Sequence, residues 1–156
     1  MSEPDDASGD RRATPVNRAL FDAVPHNRAL GIEAVEFAPG IAAARLPWRD
    51  DLVGNPDTGV LHGGAITALI DACCGASVFQ KLRRPQPIAT LDLRIDYLKP
   101  AVPRLDVIAR AECYRVTRNV AFVRGIAYQD HEDRPIASAA GAFMLGTRRG
   151  RRRGPA

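Results

Sequence analysis

A chain of 156 residues has room for one domain around a single core, and its hydrophobic (46%) and charged (26%) fractions are ordinary globular values that exclude a collagen-like, disordered or membrane-embedded protein. The net charge of +4 would suit a nucleic-acid partner, but five arginines (Arg148, Arg149, Arg151, Arg152 and Arg153) crowd the C-terminal end, and residues 1–12 are acidic. What lies between is nearly neutral, which argues against nucleic acid.

Residues 1–14 are polar and poor in large apolar groups, so they are expected to be disordered. They lack the apolar core of a signal peptide, and three cysteines, two of them neighbours on one element, do not make a disulfide framework; both features point to the cytoplasm. Pro15 suits a helix start, and Leu20, Phe21 and Val24 at helical spacing predict one short helix over 16–24 that Pro25 ends. Residues 32–37 and 41–46 read as two strands turning at Pro39-Gly40. Residues 47–61 hold so many turn formers that they predict an irregular loop, leading directly to His62.

From Ala65 to Leu82 apolar residues occur at almost every helical angle, which predicts a long helix buried on all sides. About 18 residues is the lower limit for crossing a bilayer, and Thr67, Asp71, Ser77 and Gln80 interrupt the run, so a soluble core helix is the better reading. Asp71 is the anomaly in it. A buried carboxylate loses hydration, so its surroundings must supply partners or raise its pKa, and such carboxylates concentrate at active sites. The turn before the helix, His62-Gly63-Gly64, lets a ligand approach the backbone closely and leaves the first helical N–H groups without intrahelical acceptors. Donors backed by a helix dipole suit a carbonyl oxygen that is gaining negative charge. Each feature alone has a plainer explanation, a Gly-rich loop and a satisfied core acid; together they point to a site.

Beyond a connector over 82–87, residues 88–98 alternate. Leu91, Leu93, Ile95 and Tyr97 are predicted on a core face, and Asp92, Arg94 and Asp96 on a wet one. Three more strands follow over 105–116, 120–129 and 136–145, the last two joined by the turn 130–135. An antiparallel sheet wrapped around one central helix satisfies this order, because a helix apolar all round needs cover on several sides. Residues 148–156, alternating Arg and Gly, are expected to be a disordered basic tail, which leaves 15–147 as the folded domain.

His-Gly-Gly, an Asp nine residues after the His, an Asn shortly upstream, and the strand Thr-Leu-Asp-Leu-Arg-Ile-Asp-Tyr-Leu-Lys-Pro-Ala from Thr90 resemble the hotdog-fold acyl-CoA thioesterases of the phenylacetic-acid-degradation (PaaI-like) type, over roughly residues 30–145. The resemblance implies an α+β hotdog fold, a cytoplasmic hydrolase without cofactor or metal, and an acyl-CoA substrate carrying an aromatic or medium-chain acyl group. It assigns Asp71 as general base or nucleophile, the Gly63 N–H as the donor to the thioester carbonyl, Asn55 as a group orienting water or carbonyl, and Thr90 as a holder of the water. His62 fixes the turn rather than acting as base, and Gly64 belongs to the same binding turn. The step from Asn55 to His62 is one residue longer than the family pattern and contains Pro56. Arg115, Arg118 and Asn119, between two strands, are candidate contacts for coenzyme A phosphates, or a solvated basic turn. His26 and His131 read as solvated loop residues. A hotdog hydratase and a non-catalytic acyl-CoA binder remain as alternatives; neither nucleic acid nor a membrane is an expected partner.

Gly63 and Asp71 stand eight residues apart on one helix, about 12 Å at 1.5 Å per residue, too far for both to touch one carbonyl. A two-fold dimer removes the conflict by joining Gly63 of one subunit to Asp71 of the other. The expectation is a homodimer at minimum, and a homotetramer as a dimer of dimers.

Overall fold

A computed structural model describes residues 19, 21–82 and 86–147. The expected disordered ends, 1–14 and 148–156, lie outside these residues. In chain order the elements are helix α1 (Pro25–Leu30), strands β1 (Glu33–Ala38) and β2 (Ile41–Leu46), a 3-10 turn (Asp50–Leu52), β3 (Val53–Asn55), β4 (Val60–Leu61), the long helix α2 (Gly63–Lys81), and β5 (Ile88–Tyr97), β6 (Val107–Val116), β7 (Val120–Tyr128) and β8 (Ala137–Leu145). Six strands form one antiparallel sheet in the order β1-β2-β6-β7-β8-β5, and β3 pairs with β4 in a separate small sheet. With α2 lying in the curve of the large sheet, this is the hotdog arrangement that the resemblance implied.

The sheet can wrap closely because its inner face is paved with small residues. Ala42, Ala44, Ala109, Ala111, Ala121 and Ala127 are all buried, and against them α2 sets Leu69, Ile70, Cys73, Cys74 and Val78, each fully buried. Burying a Leu, Ile or Val side chain contributes about 1.5–3 kcal/mol, so this face of α2 is a large part of what holds the domain together. Short alanine side chains let the helix approach while packing stays dense.

Four expectations are corrected. Pro25 does not merely end a helix: it occupies the first turn of α1, where its missing N–H is harmless, and Gly31 at φ 71° closes α1 with hydrogen bonds to Arg28 O and Asn27 O. His26 is therefore helical rather than in a loop. Residues 47–61 are more regular than their composition suggested, because the β3–β4 hairpin folds on a close backbone approach in which a Cβ at Gly54 would lie 2.8 Å from His62 Cα. Nor is α2 buried all round, since the inner strands of the sheet cover one side and only the edge strand β5 reaches the other. Along the other side Thr67 is exposed, Asp71 is half-buried and Phe79 is 47% exposed.

The fourth correction concerns β5. Its pairing with β8 steps from Thr90↔Phe143 to Asp92↔Ala142, so Leu91 is an extra, bulged residue. Side chains alternate faces along a strand, and an extra residue switches the parity. Ile88 and Thr90 before the bulge, and Leu93, Ile95 and Tyr97 after it, therefore share the α2 side, while Leu91 is 51% exposed. The other two breaks in register within the six-stranded sheet fall at Val35 and Tyr114, which are likewise large apolar residues left exposed.

Candidate active site

The first turn of α2 disposes of its backbone donors one at a time. His62 has extended backbone angles (φ −64°, ψ 132°) and serves as N-cap, its Nδ1 accepting from the Gly64 N–H at 2.9 Å. A Cβ at Gly64 would sit 2.8 Å from that nitrogen, so only glycine admits the cap. The Ala65 N–H goes to His62 O at 3.0 Å. The Gly63 N–H is left without a partner among the described residues, at the positive end of a 19-residue helix dipole. His62 is itself anchored, its N–H donating to Leu52 O at 2.8 Å.

Two turns further on, Asp71 accepts at Oδ1 from the Thr90 hydroxyl at 3.0 Å. The partner its position demanded is thus a neutral donor from β5. Gly63, Thr67 and Asp71 follow one another at four-residue intervals, so they line one face of the helix, the partly open face that only the edge strand β5 borders. Cys74, three residues beyond Asp71, is inert packing: burial first, and then the nearby Asp71 charge, push its thiol up to about 12. Burial likewise raises Cys73 and Cys113, and all three cysteines are free.

Asn55 ends β3, opposite Val60. Its side-chain Oδ1 accepts from the Asp57 N–H at 3.0 Å, and its carbonyl accepts from Gly59 N–H at 2.8 Å, so part of its hydrogen-bonding capacity holds the turn containing Pro56. Arg115 and Arg118 are exposed and form no ion pair among the described residues, and Asn119 O accepts from Leu145 N–H at 2.8 Å. Register carries this basic turn to the same end of the sheet as Thr90, because Thr90, Phe143, Ala121 and Val116 form one row.

A groove of about 390 Å³ opens beside the turn, between α1 and the start of α2. Leu30, Leu52, Val53, Ala65 and Ala68 give it apolar walls, and His26, Asp51, His62 and Gly64 also line it.

Tyr97 and Thr67 belong to the site and were not singled out in the sequence. The Tyr97 hydroxyl donates to Gly63 O at 2.5 Å and lies 2.9 Å from Thr67 Oγ1. For Thr67 the signal was present, a polar residue midway between Gly63 and Asp71 at helical spacing. For Tyr97 it was hidden, since Thr90 and Tyr97 are an odd number of residues apart and cannot share a face of a regular strand.

Comparison with known proteins gives consistent matches. The family model described as thioesterase superfamily matches residues 58–136. The medium/long-chain acyl-CoA thioesterase YigI of Escherichia coli is 31% identical over 136 residues, covering 79% of this chain and 86% of the relative. Among solved structures, a Pseudomonas aeruginosa protein is 48% identical with a TM-score of 0.75, covering 82% of this chain and 95% of its own. A point mutant of the phenylacetic acid degradation protein PaaI from Thermus thermophilus is 28% identical with a TM-score of 0.67, over 77% of this chain and 97% of its own.

Proposed function

The chain belongs to the thioesterase superfamily, and from that premise we propose how it hydrolyses the thioester of an acyl-coenzyme A to the free acid and the thiol. The observation that carries the reading is a carboxylate and an unpartnered helix N-terminal N–H on the same open face of α2. Asp71 either takes a proton from the attacking water or attacks the carbonyl itself, the acyl-enzyme then being hydrolysed. Thr90 holds one carboxylate oxygen, which fixes the rotamer and leaves the other oxygen for the water. The Gly63 N–H receives the carbonyl oxygen as it becomes an oxyanion. Asn55, with its amide nitrogen directed to water or carbonyl, assists; His62 and Gly64 shape the turn.

The acyl group is aromatic or medium-chain. The groove beside Gly64 supports this, being apolar-walled and within the size range of small-molecule pockets. Arg115, Arg118 and Asn119 are proposed for the coenzyme A phosphates, to which arginine presents paired donors.

The working form is a homodimer, and as a dimer of dimers a homotetramer. Along one chain Gly63 and Asp71 are about 12 Å apart at the helical rise, so one carbonyl meets both only across a two-fold axis. The surfaces a second copy would cover are the open face of α2, with Phe79 47% exposed, and the edge strand β5, with Leu91 and Tyr97 about half exposed and Leu98 just beyond it. An unpaired edge flanked by exposed apolar groups is a natural site of association. The cytoplasm, where free thiols persist, is the proposed compartment.

The test is thiol release across a panel of aromatic and aliphatic acyl-CoAs. Turnover with at least one of them is expected. Hydration of an enoyl-CoA without thiol release, or binding without turnover, would overturn the assignment for this chain.

A further inference from the structure

We propose that Tyr97 is a positioning residue that aims the Gly63 N–H at the substrate carbonyl, with Thr67 orienting Tyr97. The inference rests on the reading of the Gly63 N–H as the oxyanion donor, and goes beyond it by naming what holds that donor in place.

Consecutive glycines have the widest backbone freedom of any dipeptide, yet a donor that stabilises an oxyanion has to be fixed before the charge develops. Something outside the turn must remove that freedom. The peptide joining Gly63 to Gly64 is held at both ends: its N–H donates to His62 Nδ1 at 2.9 Å, and its carbonyl accepts from the Tyr97 hydroxyl at 2.5 Å. Fixing this peptide fixes the plane on the C-terminal side of Gly63. The plane on its N-terminal side is fixed by His62 O, which accepts from Ala65 N–H at 3.0 Å. With both planes set, the Gly63 N–H has one direction.

The hydrogen-bond chain has a single polarity. A carbonyl oxygen only accepts, so Tyr97 spends its proton on Gly63 O, and the Thr67 hydroxyl, 2.9 Å away, must donate to Tyr97. Accepting from Thr67 makes Tyr97 the stronger donor. Contact reinforces the bond: a Cβ at Gly63 would lie 3.3 Å from the Tyr97 hydroxyl and 3.4 Å from Cζ, so the phenol is packed directly against this residue. The bulge at Leu91 makes the arrangement possible, since it lets β5 present Thr90 to Asp71 and Tyr97 to Gly63 on one face. One edge strand thereby supports both reacting positions of α2.

The experiment compares wild type, Tyr97→Phe and Thr67→Val. The substrate is the fastest in the acyl-CoA panel, and the probe is its ¹³C-carbonyl ketone analogue, with methylene in place of the thioester sulfur. In wild type the infrared carbonyl frequency of the bound analogue should fall below its value in water, reporting polarisation by the Gly63 N–H. In Tyr97→Phe it should return part of the way, with kcat down roughly ten- to a hundredfold and KM nearly unchanged, less than the loss on deleting such a donor outright. Thr67→Val should move both readouts in the same direction by less. It also keeps the phenol in place, so it carries the test if Tyr97→Phe does not fold. A wild-type frequency shift retained in full by the variants overturns the role of Tyr97 and leaves the Gly63 reading standing. No shift in wild type overturns the Gly63 reading, and this inference with it.

Discussion

The Thr90 hydroxyl donates to Asp71 Oδ1 at 3.0 Å although strict alternation along β5 would turn it away from the helix. The bond depends on the bulge at Leu91, and two predictions separate its chemical from its architectural consequences.

Thr90→Val should keep the fold and lower kcat by about tenfold, equivalent to roughly 1.4 kcal/mol in the barrier, because the carboxylate loses the neutral donor that fixes its rotamer. Asp71→Asn should lower kcat by at least about a hundredfold with little change in melting temperature, the amide being nearly isosteric. Steady-state kinetics beside a thermal melt check both. Turnover of Asp71→Asn within about tenfold of wild type would remove Asp71 from the mechanism.

Leu91→Thr should be close to neutral in stability and activity, since the side chain is half exposed and the backbone keeps its extra residue. Deleting Leu91 should abolish turnover, because a regular strand cannot turn both Thr90 and Tyr97 toward α2. Near-normal activity in the deletion variant would show that the bulge does not set the site.

The three cysteines should resist thiol reagents in the native state. Burial holds Cys74 near 12 and raises Cys73 and Cys113, so little reactive thiolate forms at pH 7–9. Denaturant should expose all three at once in a titration with a chromogenic disulfide, while rapid labelling of the folded protein would contradict the burial.

Much of this was legible from residue pattern. The order of strands, the length of α2 and the isolation of Asp71 all follow from periodicity, because burial imposes it. Other features were not legible, and for physical reasons. The bulge leaves Leu91 apolar and therefore indistinguishable, by hydropathy, from a core-facing residue. Pro25 both closes a helical pattern and suits the first turn of the next, so local chemistry does not choose between the two. The open face of α2 was read as buried because apolar residues facing an uncovered surface carry the same signal as those facing a sheet. The site's candidates were found where a residue conflicts with its surroundings, as Asp71 does, and missed where it agrees with them, as Tyr97 does on an apolar strand face.

The most direct test of the composite site is complementation between subunits. Asp71→Asn and Gly63→Pro homodimers should each be inactive, the latter because proline has no N–H to donate, once it is shown to fold and dimerise. Unfolded together in equal amounts and refolded, they form mixed dimers in which one site carries both lesions and the other neither. With random pairing about half the dimers are mixed, each with one intact site of two, so thiol release should recover to roughly a quarter of wild type. Continued inactivity in confirmed mixed dimers would mean that carboxylate and N–H act within one chain, and would contradict a site shared across the two-fold axis.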